Sequence, residues 1–267
     1  MANGHEEVSW LDWPEPISYE KGDIFFEDWE IEEELGRGAN GSVYLLTKEL
    51  MGLKQEAAMK VVHLTPDRAM DQMLRSMGQS QQMIATRRRE ALAAVVREIA
   101  VMMSLKDHPN VVRCEDYKVL RIGGEDNWDI QIKMERLKSL QEKMAEGLLS
   151  AEDAAKLGVD VCGALTACEA YGLIHRDVKP ANIFVDRWGH YKLGDFGTAR
   201  AQGSGSTMTQ KAGTELYMAP EVMRGGHYDK RVDIYSLGLV LYQLTNGNRL
   251  PFYPAPEQIT QRAMEDA

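Results

Sequence analysis
From Trp29 onward the apolar positions fall in short runs, residues 31–35, 42–47 and 57–62, rich in β-branched and aromatic side chains and broken by glycines. That pattern predicts three strands joined by tight turns. Thr65, Pro66 and Asp67 then offer an N-cap and a proline at the first helical position. A helical region is expected from there to about residue 105, interrupted near Gly78. Within it Met70, Met73 and Met77 share one helical face and Met83 follows, a spacing expected to fill an irregular core. Residues 111–122 and 128–134 read as two further strands around a Gly-Gly-Glu-Asp turn.

The second half has a different period. Ser150 and Asp153 form a capping box, and the helix it opens carries Leu157, Val161, Leu165 and Cys168 on one face. Short strands at 183–185 and 191–193 bracket a turn at 187–190. Residues 202–214, rich in Ser, Thr and Gly, predict a mobile loop. Residues 232–244 are apolar almost all round, which predicts a buried helix. The expected organisation is an acidic arm over 1–26, a strand-rich lobe over 27–134 and a helical lobe over 135–267.

Charge sharpens the view of the arm. The net charge is −10, yet residues 1–35 hold twelve acids against Lys21 alone, so the remainder is close to neutral. A general nucleic-acid or anionic-membrane surface is disfavoured, because counterion release needs a cationic face. The arm carries Pro14 and Pro16 with Trp10 and Trp13, which suits either a loosely ordered terminus or an aromatic arm docked on its own lobe or on a partner. Cys114, Cys162 and Cys168 have no CxxC spacing and read as buried or neutral thiols in a reducing compartment. The start has acids where a signal peptide needs basic residues, and the apolar run around 234–241 is too short to span a bilayer, so a cytoplasmic location is expected.

The chemistry is concentrated in the run from His175 through Arg176, Asp177 and Lys179 to Asn182, followed by Asp195, Phe196 and Gly197. It sets an acid able to take a hydroxyl proton, an amide and a second acid within twenty-odd residues. Such groups hold metal ions and aim an alcohol at a terminal phosphate, a reaction that demands positioning and charge neutralisation more than covalent chemistry. Upstream, Gly36, Arg37, Gly38, Ala39, Asn40 and Gly41 form a glycine-rich loop between two predicted strands, with Val43 just beyond. Glycines let backbone N–H groups approach phosphates closely. A dinucleotide-binding loop leads from strand into helix, and a strand follows here, so that reading loses. Ala58 and Lys60 lie on the third predicted strand; a lysine there more often snorkels to solvent when nothing else is known.

Together these motifs resemble the catalytic domain of the eukaryotic-type (Hanks-type) serine/threonine protein kinases, over roughly residues 27–253. The resemblance implies an α+β, bilobal fold with an antiparallel N-lobe sheet plus one long helix, and a mainly helical C-lobe. It implies ATP and Mg²⁺ as cofactors, proteins with Ser or Thr acceptors as partners, and self-association for autophosphorylation. Asp177 would accept or orient the hydroxyl proton, and Lys179 would neutralise the γ-phosphate, its presence being the Ser/Thr form of the motif. Asn182 and Asp195 would hold Mg²⁺. Lys60 would bind the α- and β-phosphates, held by Glu98; Glu90 competes, but the run from His108 to Val112 follows Glu98 at the family's distance. The segment from Lys60 to Glu98 is longer than usual, so the helix is expected to extend at its N-terminus. Nucleotide contacts are implied for the glycine loop, Val43 and Ala58, for Met134, Glu135 and Leu137 at the hinge, and for Phe184.

Gly213 to Glu221 matches the end of an activation segment, with Thr214 shaping the acceptor site. Thr207 and Thr209, with Ser204 and Ser206 behind them, are the expected phosphorylation sites, and Arg176 is positioned in sequence to pair with a phosphate there. Asp233 resembles the residue that braces the backbone of His175 and Arg176. The compact loops and the Asp-Ile-Tyr-Ser-Leu-Gly form of the last long helix point to a bacterial source. The chain stops at Ala267 where the family continues with further helices, so a C-lobe short of its end, a fragment of a longer protein and an apolar face left uncovered on 232–244 are expected. A catalytically silent scaffold is the alternative to an active kinase.

Overall fold
The structure is a computed structural model that describes residues 11–13, 17–38, 41–64, 73–123, 127–196, 200–201, 215–225 and 228–251; within these, the side chains of 11–13, 38, 87, 88, 98, 200, 201 and 215 are outside the description. Two compact units emerge, one of residues 1–106 with 113–136, the other of 107–112 with 137–267.

The N-terminal unit is built on a seven-stranded sheet. Its strands are β1 (Leu11–Trp13), β2 (Ile24–Phe25), β3 (Trp29–Gly38), β4 (Gly41–Leu50), β5 (Leu53–Leu64), β6 (Cys114–Ile122) and β7 (Trp128–Glu135). Their order is β1-β6-β7-β5-β4-β3-β2, antiparallel except where β1 joins β6. Residues 111–113, read from sequence as strand, lie outside β6; Val111 instead bridges Leu193 in the other unit's own sheet region. Because successive side chains on a strand alternate, the register sorts the sheet into two faces. One face buries Tyr44, Leu46, Ala57, Met59 and Val61 against Phe26, Trp29 and Ile31. The opposite face carries Val43, Ala58 and Lys60.

The long helix α1 (Gln81–Ser104) belongs to this unit, packs on β5 and β6, and buries Ile84, Ile99 and Met102. Ser80 caps it by accepting from the Met83 N–H. Its 24 residues agree with the expected extension. The expected break is present too: a helical turn over 73–76 ends at Gly78, which has φ +82°. The methionine stripe does not fill a core. Met73 and Met77, on the turn before Gly78, and Met83, on α1, are all exposed, while Met70 lies outside the described residues.

The described part of the arm is docked. Tyr19 stacks on Phe25 and Tyr44, with ring centroids 5.2 and 5.6 Å apart. Its hydroxyl donates to Asp129 Oδ2 at 2.9 Å and accepts from Gln131 Nε2 at 3.1 Å. His63 Nδ1 meets the other oxygen, Oδ1, of Asp129 at 2.7 Å. Burial pushes the Tyr19 phenol well above its ordinary range.

The C-terminal unit is mainly helical: α2 (Leu140–Glu146), α3 (Ala151–Ala170), α4 (Pro220–Met223) and α5 (Arg231–Thr245). Its strands are β8 (Lys138–Ser139), β9 (Leu173–Ile174), β10 (Ile183–Val185), β11 (Tyr191–Leu193) and β12 (Arg200–Ala201). Both α2 and α3 start with capping boxes, Ser139 with Glu142 and Ser150 with Asp153. The α3 core face is Ala154, Leu157, Val161, Ala164, Leu165 and Cys168. Helix α5 is buried along Val232, Asp233, Ser236, Leu237, Val240 and Leu244 only. Ile234, Tyr235 and Tyr242 are exposed, so the helix is covered on one face and not all round. Cys114 and Cys168 are buried thiols as expected, whereas Cys162 is exposed.

The hydrogen bond His63 donates to the Asp129 carboxylate, working against partial burial, raises the His63 pKa above its ordinary value. A raised histidine pKa adds stability in full below the unfolded value, and that stability is lost as pH rises through the folded one. We therefore expect the stability gap between wild type and His63→Gln to be widest below about pH 6.5 and to shrink at higher pH. Urea unfolding of both proteins between about pH 5.5 and 8.5 measures it; a gap independent of pH would exclude the ion pair as its cause.

Candidate functional site
The loop from His175 to Asn182 leaves β9 and enters β10 through a single 3₁₀ turn, Pro180–Asn182. Local preference does not explain its path, since Arg176 sits at φ +64°, a left-handed conformation costly for an arginine. What holds it is Asp233, buried in the first turn of α5. Its two carboxylate oxygens accept from the backbone N–H of His175 (2.8 Å) and of Arg176 (2.6 Å). Burial pushes the Asp233 carboxyl up; the two backbone bonds and the charge of Arg176 pull the other way.

His175 is wholly buried and spans the site from behind. The Asp177 N–H points at Nδ1 (3.3 Å), so that nitrogen accepts, and the ring proton belongs on Nε2, which faces the Gly194 carbonyl at 3.1 Å. The Phe196 ring meets the imidazole edge-on at 4.9 Å. One imidazole thus ties the loop of Asp177 to the segment of Asp195. A backbone bond from Gly194 N–H to the Asn182 carbonyl, 2.9 Å, ties them again. A Cβ on Gly194 would lie 2.8 Å from Val112 Cγ2 and 3.0 Å from Phe184 Cε2, so only glycine fits there without a shift. Just after it, Asp195 adopts φ +55°.

The two oxygens of Asp177 have different fates. Oδ2 accepts from Lys179 Nζ and from Asn182 Nδ2, each at 2.9 Å. Oδ1 is buried and has no hydrogen-bond partner among the described residues. A buried carboxylate oxygen left bare costs free energy unless something polar comes to it. Asn182 Nδ2 also donates to the Asp177 carbonyl (2.9 Å), so the amide orientation is fixed and its own carbonyl oxygen is left for a cation. Together with the Asp195 carboxylate this is the all-oxygen donor type that Mg²⁺ prefers, and the residues fit that ion.

In the N-terminal unit the register juxtaposes several residues that the sequence singled out. Val43 is opposite Lys60 across β4 and β5, and Ala58 is opposite Met134 across β5 and β7. Directly opposed residues share a face, so these four line one side of the sheet. Gly36 pairs with Val43, Arg37 with Ser42 and Gly38 with Gly41, so the glycine-rich segment is the end of a β-hairpin, strand on both sides. Gly41 has φ +118°, and a Cβ there would come 1.8 Å from the Val61 carbonyl oxygen, which excludes any other residue. Arg37 forms a two-pronged pair with Glu34. The Glu135 carboxylate accepts from the Arg113 N–H at 2.7 Å. In the other unit Leu137 is half-buried, and Phe184 is paired with Ser139 and Lys192.

Several expected residues cannot be assigned partners. Glu98 stands on α1, but its side chain, like Ala39, Asn40, Gly197, Thr207, Thr209, Thr214, Ser204 and Ser206, lies outside the described residues. Two contributors escaped the sequence reading. Tyr228 accepts from Arg176 Nη1 at 2.9 Å and packs with Ile174, Ala219 and Val232. Tyr191, fully buried on β11, receives the Asp160 carboxylate at its backbone N–H and the Lys143 ammonium at its hydroxyl. Ser139 with Glu142, the spacing of a capping box, was a readable signal for α2; neither tyrosine has one.

With this geometry in view, the comparison with known proteins is decisive about class. The family model of the protein kinase domain matches residues 29–267, and the chain belongs to that family. It is 36% identical over 239 residues to the probable serine/threonine-protein kinase CE0033 of Corynebacterium efficiens, covering 86% of this chain and 32% of that protein. Over 230 residues it is 33% identical to the serine/threonine-protein kinase PrkC of Bacillus subtilis, covering 84% of this chain and 31% of the relative. A shorter stretch of 123 residues, 43% of this chain and 19% of the relative, is 46% identical to the probable serine/threonine-protein kinase PknB of Corynebacterium glutamicum. The chain thus spans about a third or less of the length of these curated relatives. Members of the family use ATP and Mg²⁺.

Replacing Asp233 by Ala leaves the N–H groups of His175 and Arg176 without their acceptor, a loss of about 2–5 kcal/mol. Urea unfolding of the variant checks this; a loss below about 1 kcal/mol would mean that water replaces the carboxylate.

Proposed function
We propose that this domain is a serine/threonine protein kinase that transfers the γ-phosphoryl group of ATP to Ser or Thr hydroxyls of protein substrates in the cytoplasm. The observation that carries the proposal is the division of labour at Asp177, with one oxygen held by Lys179 and Asn182 and the other bare and buried. The bare Oδ1 is an acceptor for the proton of an incoming hydroxyl, or orients that hydroxyl for attack. Oδ2 cannot swing into its place, because two donors fix the plane of the carboxylate. Lys179 keeps its ammonium beside the acid and supplies positive charge for a transferring phosphoryl group. Asn182 and Asp195 are the oxygen donors for Mg²⁺, which when bound neutralises phosphate charge.

For the nucleotide we assign the face of the N-terminal sheet that carries Val43, Ala58, Lys60 and Met134, with the hairpin from Gly36 to Gly41 as the phosphate-covering loop. Lys60 pairs the α- and β-phosphates, and Glu98 is its acidic partner. Arg176 and the hydroxyls of Thr207 and Thr209 are assigned to control by autophosphorylation. Among the described residues no helix is long and apolar enough to cross a membrane.

The test is phosphate transfer from radiolabelled ATP with Mg²⁺. Asp177→Ala should lower the rate by about 10²–10⁴-fold while nucleotide affinity stays within about threefold. Mass spectrometry of the wild type after the same incubation should find phosphate on Thr207 or Thr209 and none in the variant. Equal rates in the two proteins would remove Asp177 from its role.

A further inference from the structure
The two outermost strands of the seven-stranded sheet, β1 and β2, both come from the arm. Residues 11–13 extend the edge strand β6, and residues 24–25 extend β3 at the other edge. Residues 11–13 and 24–25, close in sequence, thus lie at opposite edges of the sheet. Six strand spacings amount to about 29 Å along the sheet, within the about 40 Å that eleven residues can span. The sheet curls toward this segment, because side chains of β6 and β7 reach the ring that follows β2. Lys118 Nζ lies 5.2 Å from the centre of Phe26, and Lys133 Nζ lies 5.6 Å from Phe26 and 4.7 Å from Trp29.

Midway along the segment stands Tyr19. It stacks on Tyr44 of β4, packs edge-on against His63 of β5 at 5.6 Å, and hydrogen-bonds Asp129 and Gln131 of β7. Three adjacent strands are thus gripped by one side chain. All four partners lie on the sheet face opposite Val43, Ala58 and Lys60, since Tyr44 neighbours Val43 in β4 and Val61 separates Lys60 from Val62 and His63 in β5. A change in strand twist or curl on the gripped face is transmitted to the other, because the same backbones carry both sets of side chains.

We infer that residues 11–13 and 17–26 form an intramolecular clasp that sets the curl of the nucleotide-binding sheet, with Tyr19 as its positioning residue. The clasp holds both edges and the middle of the sheet; when it is released, the face carrying Lys60 loses its set geometry and nucleotide affinity falls. This rests on the nucleotide assignment above for its effect on affinity, though not for the clasp itself.

Amide hydrogen exchange and nucleotide affinity of the full chain, as wild type, Tyr19→Ala and Tyr19→Phe, test the inference. Without nucleotide, Tyr19→Ala should speed exchange selectively at residues 118–122 and 41–47, with Tyr19→Phe in between because it keeps the ring and loses the hydroxyl. The KM for ATP should rise about fivefold in Tyr19→Ala, with kcat at saturating ATP within about twofold. Unchanged exchange at both segments would overturn the clasp. So would exchange that rises evenly through the whole N-terminal unit, the signature of general destabilisation. Faster exchange with an unchanged KM would overturn the link to affinity. A wild type that binds no nucleotide would remove the kinase assignment, and the exchange comparison would still decide the clasp.

Discussion
The carboxylate of Asp233 is the constraint on which the catalytic loop depends. It sits inside the C-terminal unit, where an ionised group is costly, and two backbone N–H groups converge on it from a segment that would not otherwise adopt its conformation. The positive φ of Arg176 persists because both neighbouring amides are held. Everything downstream inherits that geometry: the acceptor nitrogen of His175, the exposure of only one Asp177 oxygen to a partner, and the pairing of Asn182 with the same acid. Stability and chemistry therefore share one anchor, which helix α5 brings from 56 positions further along the chain than Asp177.

The second unit of organisation is the sheet, and its two faces have separate tasks. One is filled with aromatic and aliphatic side chains, including those of the arm. The other is kept for Val43, Ala58, Lys60 and Met134, brought abreast by the antiparallel register alone. Two register shifts in the β3–β4 pair, between Ile31 and Glu33 and between Glu34 and Gly36, add local twist just before the glycine-rich hairpin.

Much of this was legible in the sequence where the signal is local. The capping box at Ser150, the break at Gly78, the strands at 183–185 and 191–193, and the spacing from Asp177 to Asn182 and Asp195 all depend on neighbours within a few residues. The methionine stripe failed because the helical turn that carries Met73 ends at Gly78 and leaves Met73 and Met77 exposed, as Met83 is on α1. Residues 111–113 read as strand because Val111 and Val112 are β-branched, yet Val111 bridges Leu193 and the Val112 N–H donates to the Leu193 carbonyl, a pairing across some eighty positions that no local pattern encodes. Tyr228, Tyr191 and Tyr19 were invisible for the same reason: a lone tyrosine carries no periodicity, and its value comes from a distant acceptor or donor.

Gly194 shows how far such long-range closeness reaches. It is the last residue before Asp195, its N–H is bonded to Asn182, and Val112 and Phe184 close over the space where a side chain would be. The separation between Asn182 and Asp195, the two residues assigned to Mg²⁺, is consequently governed by a position that has no side chain. Position 194 is thereby chained to the volumes at 112 and 184: alanine becomes admissible only when one of those neighbours shrinks.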